Sequence, residues 1–401
     1  MQPRRIASGT VNFLRSQRYF KAILEWHILR GMKLAEVTLS GTTGNDTLTG
    51  SYGADAIAVL ALAGDDLIYI VGTDVLDIDG GDGNDTIGAM LGDNIGSLAE
   101  ILGGAGDDLL AVSGARQEIR LNGGTGNDSF VLDAQGASGD QSSILTIDGG
   151  DGDDIAIGQI QTGAEGALNT TLDMGAGDDL IDLRIGLSQT HNLLTLTGAG
   201  DDVVRLAFEV SATAVEANAD LRLGEGDDFA AIGKGNASAG TITVLGQAGD
   251  DVLRGTGGGP LTLSGGAGHD RLVSALGQGT ESIVSLKGGV GQDVLVAGHA
   301  VDMMEGGTGA DVFVFAKAFQ GAVDSITDFR HGVDQIDLSG FMDGADFIGS
   351  AKFSGDGAEL RIVAGKAGSP ISLIADVNGD GKADWKIYVQ TNMLTAGDLI
   401  L

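Results

Sequence analysis

Thirteen times between Gly41 and Phe313, an aspartate is followed by residues that alternate in polarity, as in Asp202-Val-Val-Arg-Leu206 and Asp128-Ser-Phe-Val-Leu132. The second residue after each aspartate is apolar and its neighbours are free to vary. A period of two predicts a short strand with that residue facing inward. A glycine-rich run precedes each aspartate; Leu102-Gly-Gly-Ala-Gly-Asp-Asp-Leu-Leu110 and Asn122-Gly-Gly-Thr-Gly-Asn-Asp-Ser-Phe130 are successive copies. The common form is Gly-Gly-x-Gly-x-Asp-x-U-x, with U large and apolar. Glycine turns alternating with short strands predict an all-β solenoid, a parallel β-roll or β-helix. In such a fold each coil covers the apolar face left bare by the one before.

The spacing refines this picture. The sixth-position aspartates are Asp46, Asp66, Asp85, Asp108, Asp128, Asp154, Asp179, Asp202, Asp228, Asp251, Asp270, Asp293 and Asp311, at intervals of 18 to 26 residues. A further copy, Gly50-Ser-Tyr-Gly-Ala-Asp-Ala-Ile57, adds Asp55 nine residues after the first. The shortest interval has a decayed copy at its midpoint, Gly298-His-Ala-Val-Asp302. Each coil is therefore expected to have two half-turns, one keeping the motif and the other having mostly lost it. The motif departs from its form at position two in Leu62 and Gln247, and at position five in His269, Gln292 and Ala310, where the other ten copies have Asp or Asn. The loops with Leu62 and Gln247 are expected to hold an ion less well.

Composition narrows the class. Glycine is 69 of 401 residues without a three-residue period, which excludes collagen, and a hydrophobic share of 42% excludes a disordered acidic tail. The chain has no cysteine, hence no disulfide and no thiolate metal site. Its formal charge is −33, unevenly spread. Residues 1–31 hold six basic residues and one acid, which leaves 17 basic and 55 acidic residues, a net of −38, in the remaining 370. Such a body repels nucleic acid and anionic membranes and attracts cations. No stretch reaches membrane-spanning length, and Arg15 and Arg18 interrupt what would have to be the apolar core of a signal peptide.

A glycine turn exposes backbone carbonyls and the aspartate adds a carboxylate, the hard oxygen donors that calcium takes six to eight at a time. One loop cannot complete that shell, but two loops stacked a coil apart can. Thirteen loops leave twelve gaps, room for about twelve ions. The nonapeptide resembles the calcium-binding repeat of RTX proteins. That resemblance implies Ca2+ as the ligand and the fourteen aspartates Asp46 to Asp311, Asp55 among them, as metal residues.

From Gly306 the text changes. Gly306-Gly-Thr-Gly-Ala-Asp-Val-Phe-Val-Phe315, Asp324-Ser-Ile-Thr-Asp-Phe-Arg-His-Gly-Val-Asp-Gln-Ile-Asp-Leu-Ser339 and Asp376-Val-Asn-Gly-Asp-Gly-Lys-Ala-Asp-Trp385 resemble the C-terminal domain of serralysin-type secreted metalloproteases. The resemblance covers roughly the last hundred residues. It implies a β-rich capping domain with an uncleaved type I secretion signal, matched here by Thr395-Ala-Gly-Asp-Leu-Ile-Leu401; a final edge strand is a second reading of that tail and does not exclude the first. Asp376, Asn378 and Asp380, with Gly381, also resemble the start of an EF-hand loop, but Ile387 stands at the twelfth position where a bidentate Glu is expected. A calcium site there and a tight polar hairpin are both open.

The protease itself finds no support. None of His27, His191, His269, His299 and His331 lies in a His-Glu-x-x-His context, and neither Gly-x-Ser-x-Gly nor Gly-x-x-x-x-Gly-Lys occurs. Three segments are expected: 1–31 as a basic extension, 32–315 as the calcium-binding roll, and 316–401 as the serralysin-like domain. Residues 1–31 are either a short capping helix over Ala22–Arg30 or a stretch ahead of a true start at Met32. The expected protein is non-enzymatic, extracellular and exported without an N-terminal signal peptide by type I machinery. Its expected role is structural or adhesive toward cell-surface or matrix components. Two further readings are an accessory or carrier of a separately encoded enzyme or toxin, and a self-assembling surface-layer protein.

Overall fold

The computed structural model describes residues 36–51, 56–72, 75–137, 142–163, 166–210, 215–235, 240–257, 259–274, 283–316, 323–365 and 369–401. The expectations for residues 1–31 and for Asp55 lie outside them. The chain forms two compact units, one ending at Ala199 and the other spanning Gly200–Leu401.

In the first unit, strands separated by one element pair in parallel, as the two-half-turn spacing requires. One sheet contains Thr47–Ser51, Leu67–Val71, the start of Thr86–Ala105, the start of Leu109–Thr125, Ser129–Gly136, Ile155–Gln161 and Leu180–Leu187. The facing sheet begins with Glu36–Ser40, Ala56–Leu60 and Val75–Asp82, and continues through the ends of the two long strands to Ser143–Asp151, Leu168–Ala176 and His191–Ala199. The motif loop joins the two sheets in every coil.

The U residues form one internal column. Ile68 pairs with Ile87, Ile87 with Leu110, Leu110 with Phe130, Phe130 with Ala156 and Ala156 with Ile181, all fully buried. The large Phe130 above the small Ala156 shows how the column keeps its volume while single residues vary. The second unit repeats the arrangement with Val204, Ala230, Leu253, Leu272, Leu295, Phe313 and Ile336.

Beyond Val312–Val314 the pattern gives way. Asp324–Ile326 and Gln335–Asp337 extend the two sheets. Glu359–Val363, Ile371–Asp376 and Trp385–Val389 then form an antiparallel meander, and Trp385 packs edge-on against Phe315 and Phe341. Leu399–Ile400 pairs in parallel with Ile336–Asp337 as a short strand, as the edge-strand reading of the tail expects. Among the described residues no helix is long and apolar enough to cross a membrane.

Candidate metal centre

The sixth-position aspartates do not face solvent, except Asp46 of the first copy, which is half-buried. In the first unit Asp66, Asp85, Asp108, Asp128, Asp154 and Asp179 are buried, and in the second Asp202, Asp228, Asp251, Asp270, Asp293 and Asp311. Their carboxylates form a ladder between coils. Asp46 N–H donates to Oδ1 of Asp66 (2.6 Å), Asp66 to Asp85 (2.8 Å), Asp85 to Asp108 (2.7 Å), Asp108 to Asp128 (2.8 Å), Asp128 to Asp154 (2.7 Å) and Asp154 to Asp179 (2.8 Å). In the second unit the same bond links Asp202 to Asp228, Asp228 to Asp251, Asp251 to Asp270, Asp270 to Asp293 and Asp293 to Asp311 (2.9 to 3.0 Å).

The fifth position makes an exposed ladder that runs in the opposite direction. Asn84 N–H donates back to Oδ1 of Asp65, Asp107 to Asn84, Asn127 to Asp107 and Asp153 to Asn127. This explains the preference for Asp or Asn, since both supply an acceptor and only the side-chain oxygen is needed. His269 keeps the ladder by another route: its N–H donates to Asp250, and its Nδ1 accepts from Gln292 N–H at 2.8 Å.

What the inner ladder leaves over is the feature that points to a metal. Oδ1 of Asp66, Asp85, Asp108, Asp128, Asp154, Asp228, Asp251, Asp270 and Asp293 is satisfied, but Oδ2 of each is buried and accepts no hydrogen bond. A buried carboxylate oxygen without a donor is costly, and a regular series of them is not accidental. In most copies position one is glycine, which leaves open the space in front of Oδ2; ahead of Asp66 and Asp228 it is Ala61 and Leu223. A Cβ on Gly80 would collide with Asp85 Oδ2 and with the carbonyl of Gly103 on the next coil; Gly103, Gly149, Gly246 and Gly288 have the same two kinds of neighbour. Among the described residues no three His, Asp or Glu side chains converge, so an ion must draw on these carbonyls as well. Carboxylate and carbonyl oxygens from adjacent loops are a donor set that suits calcium.

Without a cation these carboxylates resist ionisation. Burial, followed by repulsion from neighbouring aspartates, pushes Asp108 up to about 8 and Asp128, Asp228 and Asp251 to about 7, against the hydrogen bond each accepts. Asp85, Asp154, Asp270, Asp293 and Asp311 rise to about 6, burial again leading.

Position two sets the loop conformation. Its glycines have positive φ, as at Gly104 (123°), and a Cβ on Gly104 would strike the carbonyl of Gly81. The only non-glycine residues with positive φ among those described are Leu62 (83°) and Gln247 (85°), the two departures noted in the sequence. Their loops keep the shape of the others, with strain in the backbone and an open Oδ2 on Asp66 and Asp251.

Several residues with roles here were not singled out in the sequence. Asp334 extends the ladder, receiving Asp311 N–H on Oδ1 at 3.2 Å. Asp328 accepts from both Gly306 and Gly307 N–H, capping the last glycine pair. On the opposite edge the backbone N–H of Asp302, already visible as a decayed copy, donates to Oδ1 of Asp324 at 2.9 Å. Burial and the Asp324 charge push Asp302 up to about 7, and its Oδ1 is buried without a hydrogen bond. The signal that could have exposed Asp324 and Asp334 is their own spacing of 22 and 23 residues from Asp302 and Asp311.

Asp376, Asn378 and Asp380 lie in the hairpin between Ile371–Asp376 and Trp385–Val389. Asp376 is buried and accepts from Gly379, Asp380 and Gly381 N–H, while Asp384 accepts from Val377 and Asn378 N–H. Ile387 is buried in the sheet, so the twelfth position supplies no ligand.

The comparisons agree with this geometry. Residues 245–401 match the family described as Peptidase M10 serralysin C terminal, and residues 38–61 match the RTX calcium-binding nonapeptide repeat (4 copies). Neither matched region includes a protease catalytic domain. No curated protein matches the chain. Both kinds of region are typical of proteins exported by type I secretion to the cell exterior. The chain thus carries RTX calcium-binding repeats and a serralysin C-terminal region, and calcium is the ion its repeats bind.

Proposed function

We propose that the chain is a non-catalytic extracellular protein whose roll is folded by calcium, and that its role is structural or adhesive. The observation that carries this reading is the series of buried Oδ2 atoms with no hydrogen-bond donor. In calcium-poor cytosol those carboxylates must either take up protons or remain charged and buried, and a body of −38 repels itself. The chain then stays largely unfolded, as export requires. Outside, calcium at about 10⁻³ M saturates sites of the affinity usual in extracellular modules, and binding free energy becomes folding free energy. About twelve ions would add +24 and offset most of the charge.

The outer surface of the first unit supports an adhesive role. Leu67, Leu109 and Ile155 lie along one row of the sheet, Tyr69, Val131 and Ile157 along another, all exposed. Large exposed apolar side chains grouped on one face mark surfaces that meet partners.

Circular dichroism with and without calcium, combined with mass determination in solution, tests the reading. Coil in chelator and β-structure in calcium are expected. An identical folded spectrum in both would overturn it.

A further inference from the structure

The first loop of the first unit's ladder and the last loop of the second unit's ladder differ from the loops between them in one respect. At the interior loops of Asp66, Asp85, Asp108, Asp128, Asp154, Asp228, Asp251, Asp270 and Asp293, position two has positive φ and Oδ2 has no donor. At the first loop position two is Thr42, at the last it is Arg330, and neither has positive φ. Without that conformation the position-two N–H turns inward onto its own aspartate. Thr42 N–H donates to Asp46 Oδ2 at 2.5 Å, with Thr42 Oγ1 on the same atom at 2.9 Å. Arg330 N–H donates to Asp334 Oδ2 at 2.7 Å. The sign of φ, not the residue type, makes the difference, because Leu62 and Gln247 keep positive φ and their aspartates stay open.

The last loop has a second distinction. Arg330 sends its side chain back along the edge, where Nη2 donates to Asp334 Oδ1 at 3.0 Å and to the carbonyl of Gly309, and lies 3.5 Å from Oδ2 of Asp311. One carboxylate from each of two stacked loops and a backbone carbonyl between them form the kind of donor set that the interior steps would offer a cation. The buried partners, Asp311 and Asp334, are both acidic, and the guanidinium is the positive charge that reaches them. Phe329 packs on Phe313 with ring centroids 6.1 Å apart, and Asp328 holds Gly306 and Gly307, so the chain is fixed immediately ahead of Arg330.

We infer that the Arg330 guanidinium is the resident cation of the Asp311–Asp334 step, taking the place that calcium takes between interior loops. The metal series therefore stops at Asp311, and the step next to the C-terminal region is closed without an ion. An arginine is suited to this, since its charge is permanent and Nη2 alone reaches both carboxylates and the carbonyl. The inference rests on calcium binding by the interior loops, and its test separates the two.

Calcium bound per full-length chain is counted by equilibrium dialysis at saturating calcium for the natural protein, for Arg330→Gly, which restores the glycine of the motif, and for Arg330→Lys. No calcium bound to the natural chain would overturn the proposed function. Given binding, the expected result is one additional ion in Arg330→Gly and an unchanged count in Arg330→Lys. A folded Arg330→Gly chain with the natural count would overturn the inference. If Arg330→Gly does not fold in calcium, Arg330→Lys decides. Folding with the natural count supports a cation at this place, and failure to fold overturns it, because a positive charge alone is then not what the step requires.

Discussion

The backbone N–H of Asp108 donates to Oδ1 of Asp128 at 2.8 Å, while Oδ2 of the same Asp128 is buried and accepts nothing. The two oxygens of one carboxylate thus have separate tasks. Oδ1 fixes the register between coils, and Oδ2 is available to an ion. Asp128→Asn keeps an acceptor for Asp108 N–H but puts a neutral amide where the ion requires charge. The variant should bind less calcium and lose about 1–3 kcal/mol of stability in calcium. In chelator it should be no less stable than the natural protein, because a buried charge has been removed. Paired urea titrations with and without calcium give both values.

Acid should substitute in part for calcium. The folded-state values of Asp108, Asp128, Asp228 and Asp251, about 7 to 8, lie above the ordinary 3.8 because of burial. Between those limits the folded state binds more protons than the unfolded one, so metal-free stability falls as pH rises through the window. In chelator, β-structure should increase when the pH is lowered from 8 to 5.5. In calcium the trend reverses: protons compete for the same oxygens, and the midpoint of a calcium titration should move to higher concentration at pH 5.5. Circular dichroism at the two pH values checks both, and a chelator spectrum that does not change with pH would count against metal-free frustration in the ladder.

Leu62 and Gln247 carry backbone strain that their neighbours avoid. A side chain at positive φ costs roughly 1–2 kcal/mol, of which glycine's greater freedom in the unfolded chain offsets about half. Leu62→Gly and Gln247→Gly should each raise stability in calcium by about 0.5–1 kcal/mol. Gly104→Ala should lower stability, since a Cβ on Gly104 would meet the carbonyl of Gly81. Melting temperatures in saturating calcium distinguish the two classes.

The column of U residues makes a calcium-independent prediction. Phe130 is fully buried between Leu110 and Ala156. Phe130→Ala leaves a cavity next to a small neighbour that cannot fill it, at a cost of about 3–5 kcal/mol. The ion count per folded chain should be unchanged, because the substitution leaves the ladder oxygens in place.

The 376–384 loop separates its two readings experimentally. Asp376 accepts three backbone N–H groups. Replacing it with Ala should destabilise the hairpin by about 1.5–3 kcal/mol through loss of hydrogen bonds to a charged group. If the loop is only a hairpin, calcium will not change that cost. A site formed by Asp376, Asn378 and Asp380 would make Asp380→Ala lower the bound calcium count by one.

Local sequence determined most of the fold. Strand, inward residue and glycine turn follow from the period of two and from steric limits on φ, both of which act over a few residues, so the motif at Asp108 could be read without its neighbours. The motif also identified the ligand, because glycine carbonyls and an aspartate are a donor set for a hard cation wherever they stack. The tertiary structure decided what lies between coils. Asp108 and Asp128 are 20 residues apart and Asp128 and Asp154 are 26, and no fixed interval tells which amide meets which carboxylate. Only the stacked register gives Oδ1 a donor and leaves Oδ2 bare. It also showed that Phe329-Arg-His-Gly-Val-Asp334 is another turn of the same ladder, hidden because its motif glycines are reduced to Gly332. Arginine at position two looks like simple loss of the motif. The fold turns its N–H and its guanidinium onto the acids that an ion would otherwise join, because hydrogen bonding across coils depends on positions in space and not on distance along the chain.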